Sequence, residues 1–191
     1  LEAKILKAVE SLSDPVTGAI RRYRGDSYQR MGFFRHVTME KLAAIYGSPS
    51  GDASSHFEAR NRAVPKGREA AWTHFVWQLA AWSGERFLET GSMVYRRLHD
   101  HYFHRGMGLF TGVGEASIDQ DAKGAPRVIG IKPVRMPECY ISEKTGRGRD
   151  LVFPSPHTPL NWAVGEMFSA FDVRRTVLAT HKAARKASKK R

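Results

Sequence analysis

The sequence predicts a mainly α fold, with about four long helices joined by unusually long loops. Three stretches carry that expectation. Leu1–Leu12, Glu69–Arg86 and Pro159–Val173 each repeat apolar residues at helical spacing.

In Leu1–Leu12 the apolar positions are Leu1, Ile5, Ala8 and Leu12, with Leu6 and Val9 beside them, and Asp14-Pro15 stops the run. An irregular stretch follows from Thr17 to Pro65, broken by Gly and Ser, with a short helix expected around Met39–Tyr46. Glu69–Arg86 sets Trp72, Phe75, Val76, Leu79 and Trp82 on one face. Trp77, Ala80 and Ala81 widen that face, so this helix is expected to lie buried among others. Ser92–His104 reads as a further helix, with Met93, Tyr95, Leu98 and Tyr102 near one face. Thr111–Phe153 is rich in Gly, Pro and charge, and only Val128–Ile131 reads as a strand. In Pro159–Val173 a first-turn proline precedes Leu160, Val164, Met167, Phe168 and Phe171, and Thr158 is the expected N-cap.

A chain of 191 residues, 41% apolar and 10% aromatic, can bury one substantial core. No apolar run is long enough to span a bilayer, and the charged opening LEAKILKAVE lacks the layout of a signal peptide. The chain starts without Met, as expected of a processed, trimmed or fragmentary chain. A lone cysteine, Cys139, excludes an internal disulfide and points to a reducing, cytoplasmic setting. The net charge is +12, but Arg174–Arg191 alone holds eight Lys/Arg and no Asp/Glu. About +4 remains for the rest. The expected division is therefore a body over 1–173 and a solvated basic tail over 174–191. This distribution argues against nucleic acid as the partner of the body.

Several apparent motifs carry little chemistry. On a helix His101 and His104 share a face while His99 points elsewhere, and no H-E-x-x-H run is present, so no metal is expected. Gly112-Val113-Gly114 follows no strong strand and lacks the rest of a dinucleotide fingerprint, and no other cofactor signature appears. Cys139 has no activating base in sequence and reads as a packed thiol. What remains is a group of loop motifs that pair aromatic rings with Arg and acidic residues. They are Arg22-Tyr23-x-x-Asp26-x-Tyr28, Glu69-x-x-Trp72, Pro137-Glu138-x-Tyr140, and Pro159-Leu160-x-Trp162. Flat rings stack on pyranose faces, and charged forks hold hydroxyls.

In this order the four motifs resemble the C-terminal half of the catalytic domain of glycoside hydrolase family 15. That family comprises the glucoamylases and their relatives, including the phosphorylase kinase α/β subunits. The resemblance implies part of an (α/α)6 toroid that acts on an α-glucan or oligosaccharide by inversion, with two carboxylates and no cofactor. Carried over residue by residue, it makes Glu138 the general base. Arg22, Tyr23, Asp26 and Glu69 become substrate-site residues, and Trp72 and Trp162 aromatic positions near the sugar. The family's general acid lies upstream and has no match here, and too few helices are present to close a toroid. The resemblance thus implies an incomplete, isolated chain, inactive alone and prone to self-association unless its missing N-terminal half covers it. The alternative is a non-catalytic, phosphorylase kinase-like regulatory or carbohydrate-binding module.

Overall fold

The structure is a computed structural model that describes residues 2–23, 26, 68–120, 126–144, 150–156, 158–159 and 161–188. The helix expected at Met39–Tyr46 lies outside the described residues, as do Tyr28 and Leu160 of the motifs. Four helices are described: α1 (Glu2–Glu10), α2 (His74–Thr90), α3 (Met93–Met107) and α4 (Asn161–Ser188). Six strands accompany them: β1 (Ile20–Arg21), β2 (Ala71–Trp72), β3 (Ala116–Gln120), β4 (Pro126–Gly130), β5 (Cys139–Lys144) and β6 (Asp150–Pro154). The fold is therefore mixed α/β rather than mainly α, and the described helices do not make up a toroid. Thr111–Phe153, expected to be mostly loop, supplies four of those strands.

Helix α1 ends where Asp14 turns the chain. Asp14 Oδ1 accepts from the amides of Val16 and Thr17, at 3.1 and 2.8 Å. Carboxylates stabilise turns of this kind because they replace backbone acceptors two or three residues on. Helix α2 starts at His74, five residues later than the expected Glu69, because Ala71 and Trp72 are drawn into the sheet. It closes at Gly91, whose φ of 67° lets its amide reach the Phe87 carbonyl at 2.8 Å.

The core forms where α2 packs on α3 and α4. Val76, Trp77 and Ala80 of α2 are fully buried against Tyr102 and Phe103 of α3 and Ala163 and Ala170 of α4. Close approach explains the small residues. A methyl group on Gly84 would stand 2.3 Å from Val173 Cγ1, and one on Gly106 would stand 2.9 Å from the Trp77 ring. The inward face of α3 is not the one its apolar residues suggested. Arg96, His99, Tyr102, Phe103 and Gly106 are buried, while Met93 is exposed. Polar groups there are partly paired: His99 Nδ1 lies 2.7 Å from the Ala80 carbonyl and Arg96 binds Asp100, while His99 Nε2 and Arg96 Nε are buried without a hydrogen-bond partner among the described residues.

Helix α4 also departs from expectation at both ends. It begins at Asn161, after a cis Thr158–Pro159 bond, and Thr158 Oγ1 donates to the Ser155 carbonyl instead of capping the helix. Beyond residue 173, where a tail was expected, the helix runs on to Ser188. Val177 is fully buried, and Arg174 pairs with Asp100 and lies 5.0 Å over the Phe103 ring.

The strands form a four-stranded antiparallel sheet in the order β1-β2-β5-β6 and a separate β3-β4 hairpin. The hairpin is fastened to β6 by Ser117, whose hydroxyl donates to the Pro154 carbonyl at 2.6 Å. β2 is two residues long, yet it joins both neighbours: Trp72 faces Ile20 on one side and Cys139 on the other. Residues far apart in sequence are thereby brought to one place.

Candidate functional site

The site is built around Trp72. Its indole N–H donates to Asp26 Oδ2 at 3.0 Å, and the Arg22 guanidinium sits 4.7 Å over its ring. Arg22 grips the same carboxylate in a fork, Nε to Oδ2 at 3.1 Å and Nη2 to Oδ1 at 2.9 Å. Planar guanidinium and planar carboxylate match in this geometry, and each fixes the other's orientation. Asp26 is fully buried. Burial alone would depress the Arg22 pKa, but the hydrogen bonds and charge of Asp26, together with Tyr23, raise it above the ordinary guanidinium value. Tyr23 accepts from Arg22 Nη2 at 3.3 Å.

A second acid–arginine unit stands beside the first. Arg21 pairs with both Asp14 and Glu69, and Glu69 is buried at 3.4 Å from Arg21 Nε. Glu69 thus braces β1 from two residues ahead of β2, beside the Trp72 cluster.

Glu138 enters from the opposite side of β2. Its carbonyl accepts from the Thr73 amide at 3.3 Å, extending the β2–β5 ladder by one step. Thr73 Oγ1 also donates to the Pro137 carbonyl at 2.6 Å, so both residues ahead of β5 are pinned to the start of α2. Further back, Thr111 holds the approach to this segment: its hydroxyl donates to the Lys132 carbonyl at 2.8 Å and accepts from the Arg135 amide at 2.9 Å. Between them Val134 adopts φ 56°, a left-handed conformation that a β-branched residue enters only under constraint. Tyr140 is tied down by its hydroxyl, which donates to the Leu109 carbonyl at 3.1 Å.

The Cys139 thiol shows how closely these charges gather. Burial pushes it well above the usual thiol range, and the carboxylates of Glu138 and Asp26 push it further, against opposing effects of Ser155 and Arg22. Cys139 is a packed, protonated thiol and no nucleophile.

Trp162 completes the aromatic set from the first turn of α4. Unlike Trp72 it is 61% exposed. One of its faces lies on the imidazole of His74, at 4.9 Å between centroids and 17° between planes. His74 in turn meets the Trp72 ring edge-on at 5.4 Å and Phe75 at 4.1 Å.

The structure therefore brings Arg22, Tyr23, Asp26 and Trp72 together, joins Trp162 through His74, and places the Glu138 backbone one ladder step from Trp72. Glu69 belongs to the adjoining Arg21–Asp14 unit. The sequence motifs do not include Thr73 and His74, although the run Trp72-Thr73-His74-Phe75 sets an imidazole between aromatic residues. A nearby cavity of about 240 Å³ is lined by Val9, Leu12, Ile20, Phe75 and Leu79 together with Arg21, Arg22 and Gln78. Among the described residues no three His, Cys, Asp or Glu side chains are grouped to hold a metal. No helix there is long and apolar enough to cross a membrane.

No protein-family model matches the chain, no curated protein matches it, and no solved structure matches it.

Proposed function

We propose that this chain carries the sugar-binding, base-bearing half of a glucoamylase-like site, with Glu138 as the general base of an inverting glycoside hydrolase. The remainder of an (α/α)6 toroid, with the general acid, lies outside this chain. The observation that carries the reading is the meeting at β2 of three separate motifs: Arg22 stacks on Trp72, Asp26 binds both, and Glu138 follows one ladder step away. Asp26 and Trp72 are buried and held by Arg22, so this cluster would frame the sugar site, while the exposed Trp162 offers an open ring for stacking. In such a site the base holds and deprotonates a water on the face opposite the leaving oxygen.

The test is turnover of maltotriose by the chain expressed in its natural reading frame, followed by NMR of the glucose first released. The expected product is the β-anomer. Glu138→Gln should lower turnover by at least about 100-fold while the circular dichroism stays unchanged. An unchanged rate, or release of the α-anomer, overturns the assignment.

One observation favours a second reading, a carbohydrate-binding regulatory module. Asp26 and Glu69 are both buried against arginines, so both brace the site. Maltotriose binding without turnover, in wild type and in Glu138→Gln alike, identifies that case.

A further inference from the structure

His74 opens α2 between two tryptophans, in a position that packing alone does not account for. The residue is only 2% exposed, and its Nδ1 is buried without a hydrogen-bond partner among the described residues. A buried ring nitrogen without a partner destabilises the fold, and a phenyl ring of similar outline would fill the space without that penalty. The ring is flat against Trp162, however, and Trp162 is the aromatic side chain of the site most open to solvent. An exposed indole on the first turn of a helix has several rotamers open to it. A plate packed on one of its faces removes most of them and leaves the other face outward.

We propose that His74 is a positioning residue of the sugar site, holding Trp162 so that the outer face of its indole stays presented as a stacking platform. This rests on the reading of the site as one for glucosides. Charge around the imidazole is consistent with the role. Burial, with Arg22 at the end of β1, lowers its pKa to about 4, opposed by Glu166 on α4. Glu166 is itself held by Gln78 of α2, whose amide donates to it at 2.9 Å. Trp72, Phe75 and Trp162, the rings against His74, carry no charge. The imidazole is therefore neutral near pH 7, as a plate packed between apolar rings must be. Protonation would place a cation inside the stack and facing Arg22.

The experiment uses the whole chain and maltotriose as the probe, with binding measured by calorimetry in wild type, His74→Ala, His74→Phe, Trp162→Ala and the His74→Ala/Trp162→Ala double variant. His74→Ala should weaken binding about three- to tenfold, and His74→Phe should restore it to within about twofold. The double variant should bind no more weakly than Trp162→Ala alone, because a residue that acts through Trp162 has no effect once Trp162 is gone. Additive losses, or a Phe variant as weak as the Ala variant, overturn the proposal. Wild-type chain that does not bind maltotriose sinks the glucoside reading, and the positioning role is then decided by tryptophan emission between pH 7 and pH 3. The emission should change with a midpoint near the His74 value of about 4 in wild type and lose that change in His74→Phe and in Trp162→Phe. A transition that persists in either variant overturns the role of His74.

Discussion

Trp72 and Asp26, 46 residues apart, share a hydrogen bond of 3.0 Å that is fully enclosed. The same carboxylate receives the Arg22 fork, so one acid satisfies an indole and a guanidinium at once. Asp26→Ala leaves both donors without their acceptor and should destabilise the fold by about 2–4 kcal/mol. Asp26→Asn keeps one acceptor oxygen and should lose less. Urea unfolding of the two variants ranks them, and equal losses would show that the acceptor oxygen kept by Asn contributes nothing once the charge is gone.

Two glycines of the helices should respond in opposite ways to alanine. At Gly84 the added methyl meets Val173 at 2.3 Å, so Gly84→Ala should destabilise by about 1–3 kcal/mol despite the better helix propensity. At Gly165 nothing lies within 4 Å, and Gly165→Ala should stabilise by about 0.5–1 kcal/mol. Thermal melts of the pair check both signs.

Val134 offers a similar measurement in a loop. Its φ of 56° suits glycine, and its side chain is 73% exposed, so little packing is lost on substitution. Val134→Gly should raise stability by about 1 kcal/mol in chemical denaturation. No gain would mean that the conformation is unstrained.

Acid should weaken the fold before the carboxylates titrate. His74 and His99 are both held below the ordinary imidazole value, chiefly by burial. Each is neutral in the folded chain over a range where the unfolded chain binds a proton, so stability rises with pH there and falls as pH drops from about 6.5 toward 4. The loss from His74 should amount to about 1–3 kcal/mol after allowance for solvent screening. His74→Phe should flatten that part of the curve. Below it Asp100 adds a second loss: burial would raise its pKa, but the hydrogen bonds of Arg96 and Arg174 hold it below the usual carboxylate value. Its contribution is present above the unfolded value and disappears as pH falls through the folded one.

Helix α4 packs on the body as far as Val177, and truncations show where that packing stops. Ending the chain after Arg174 removes the buried Val177 and should destabilise by about 1–3 kcal/mol. Ending it after Thr180 keeps Val177 and should change stability by less than about 0.5 kcal/mol. Differential scanning calorimetry distinguishes the two.

Helix periodicity made α1, α2 and α4 legible, but strands were mostly hidden. In β5 Cys139, Tyr140, Ile141 and Ser142 are all buried, so the alternation that marks a half-buried strand is missing. β1 and β2 are two residues long and too short for any pattern. On α3 the buried face carries Arg96 and His99, and apolar spacing cannot point to side chains that are buried through their partners. The boundary at residue 174 followed charge, whereas Ala, Lys and Arg continue a helix well. The site residues were visible as types, since Arg, Asp and Trp at Arg22, Asp26 and Trp72 suggest stacking and forks. Their contact was not visible, because it depends on a strand pairing between distant segments. His74 went unread because a single imidazole in an apolar helix is ordinary until its neighbours are known.

Strand β2 has one further consequence. Because it is paired on both edges, Ala71 and Trp72 have their places dictated by Arg21 and Ile20 on one side and by Tyr140 and Cys139 on the other. Side chains alternate along a strand, so inserting or deleting a single residue here would send the indole to the wrong side of the sheet. The two residues work as a ruler: chain length is counted there, and evolution can vary spacing around the site only outside β2.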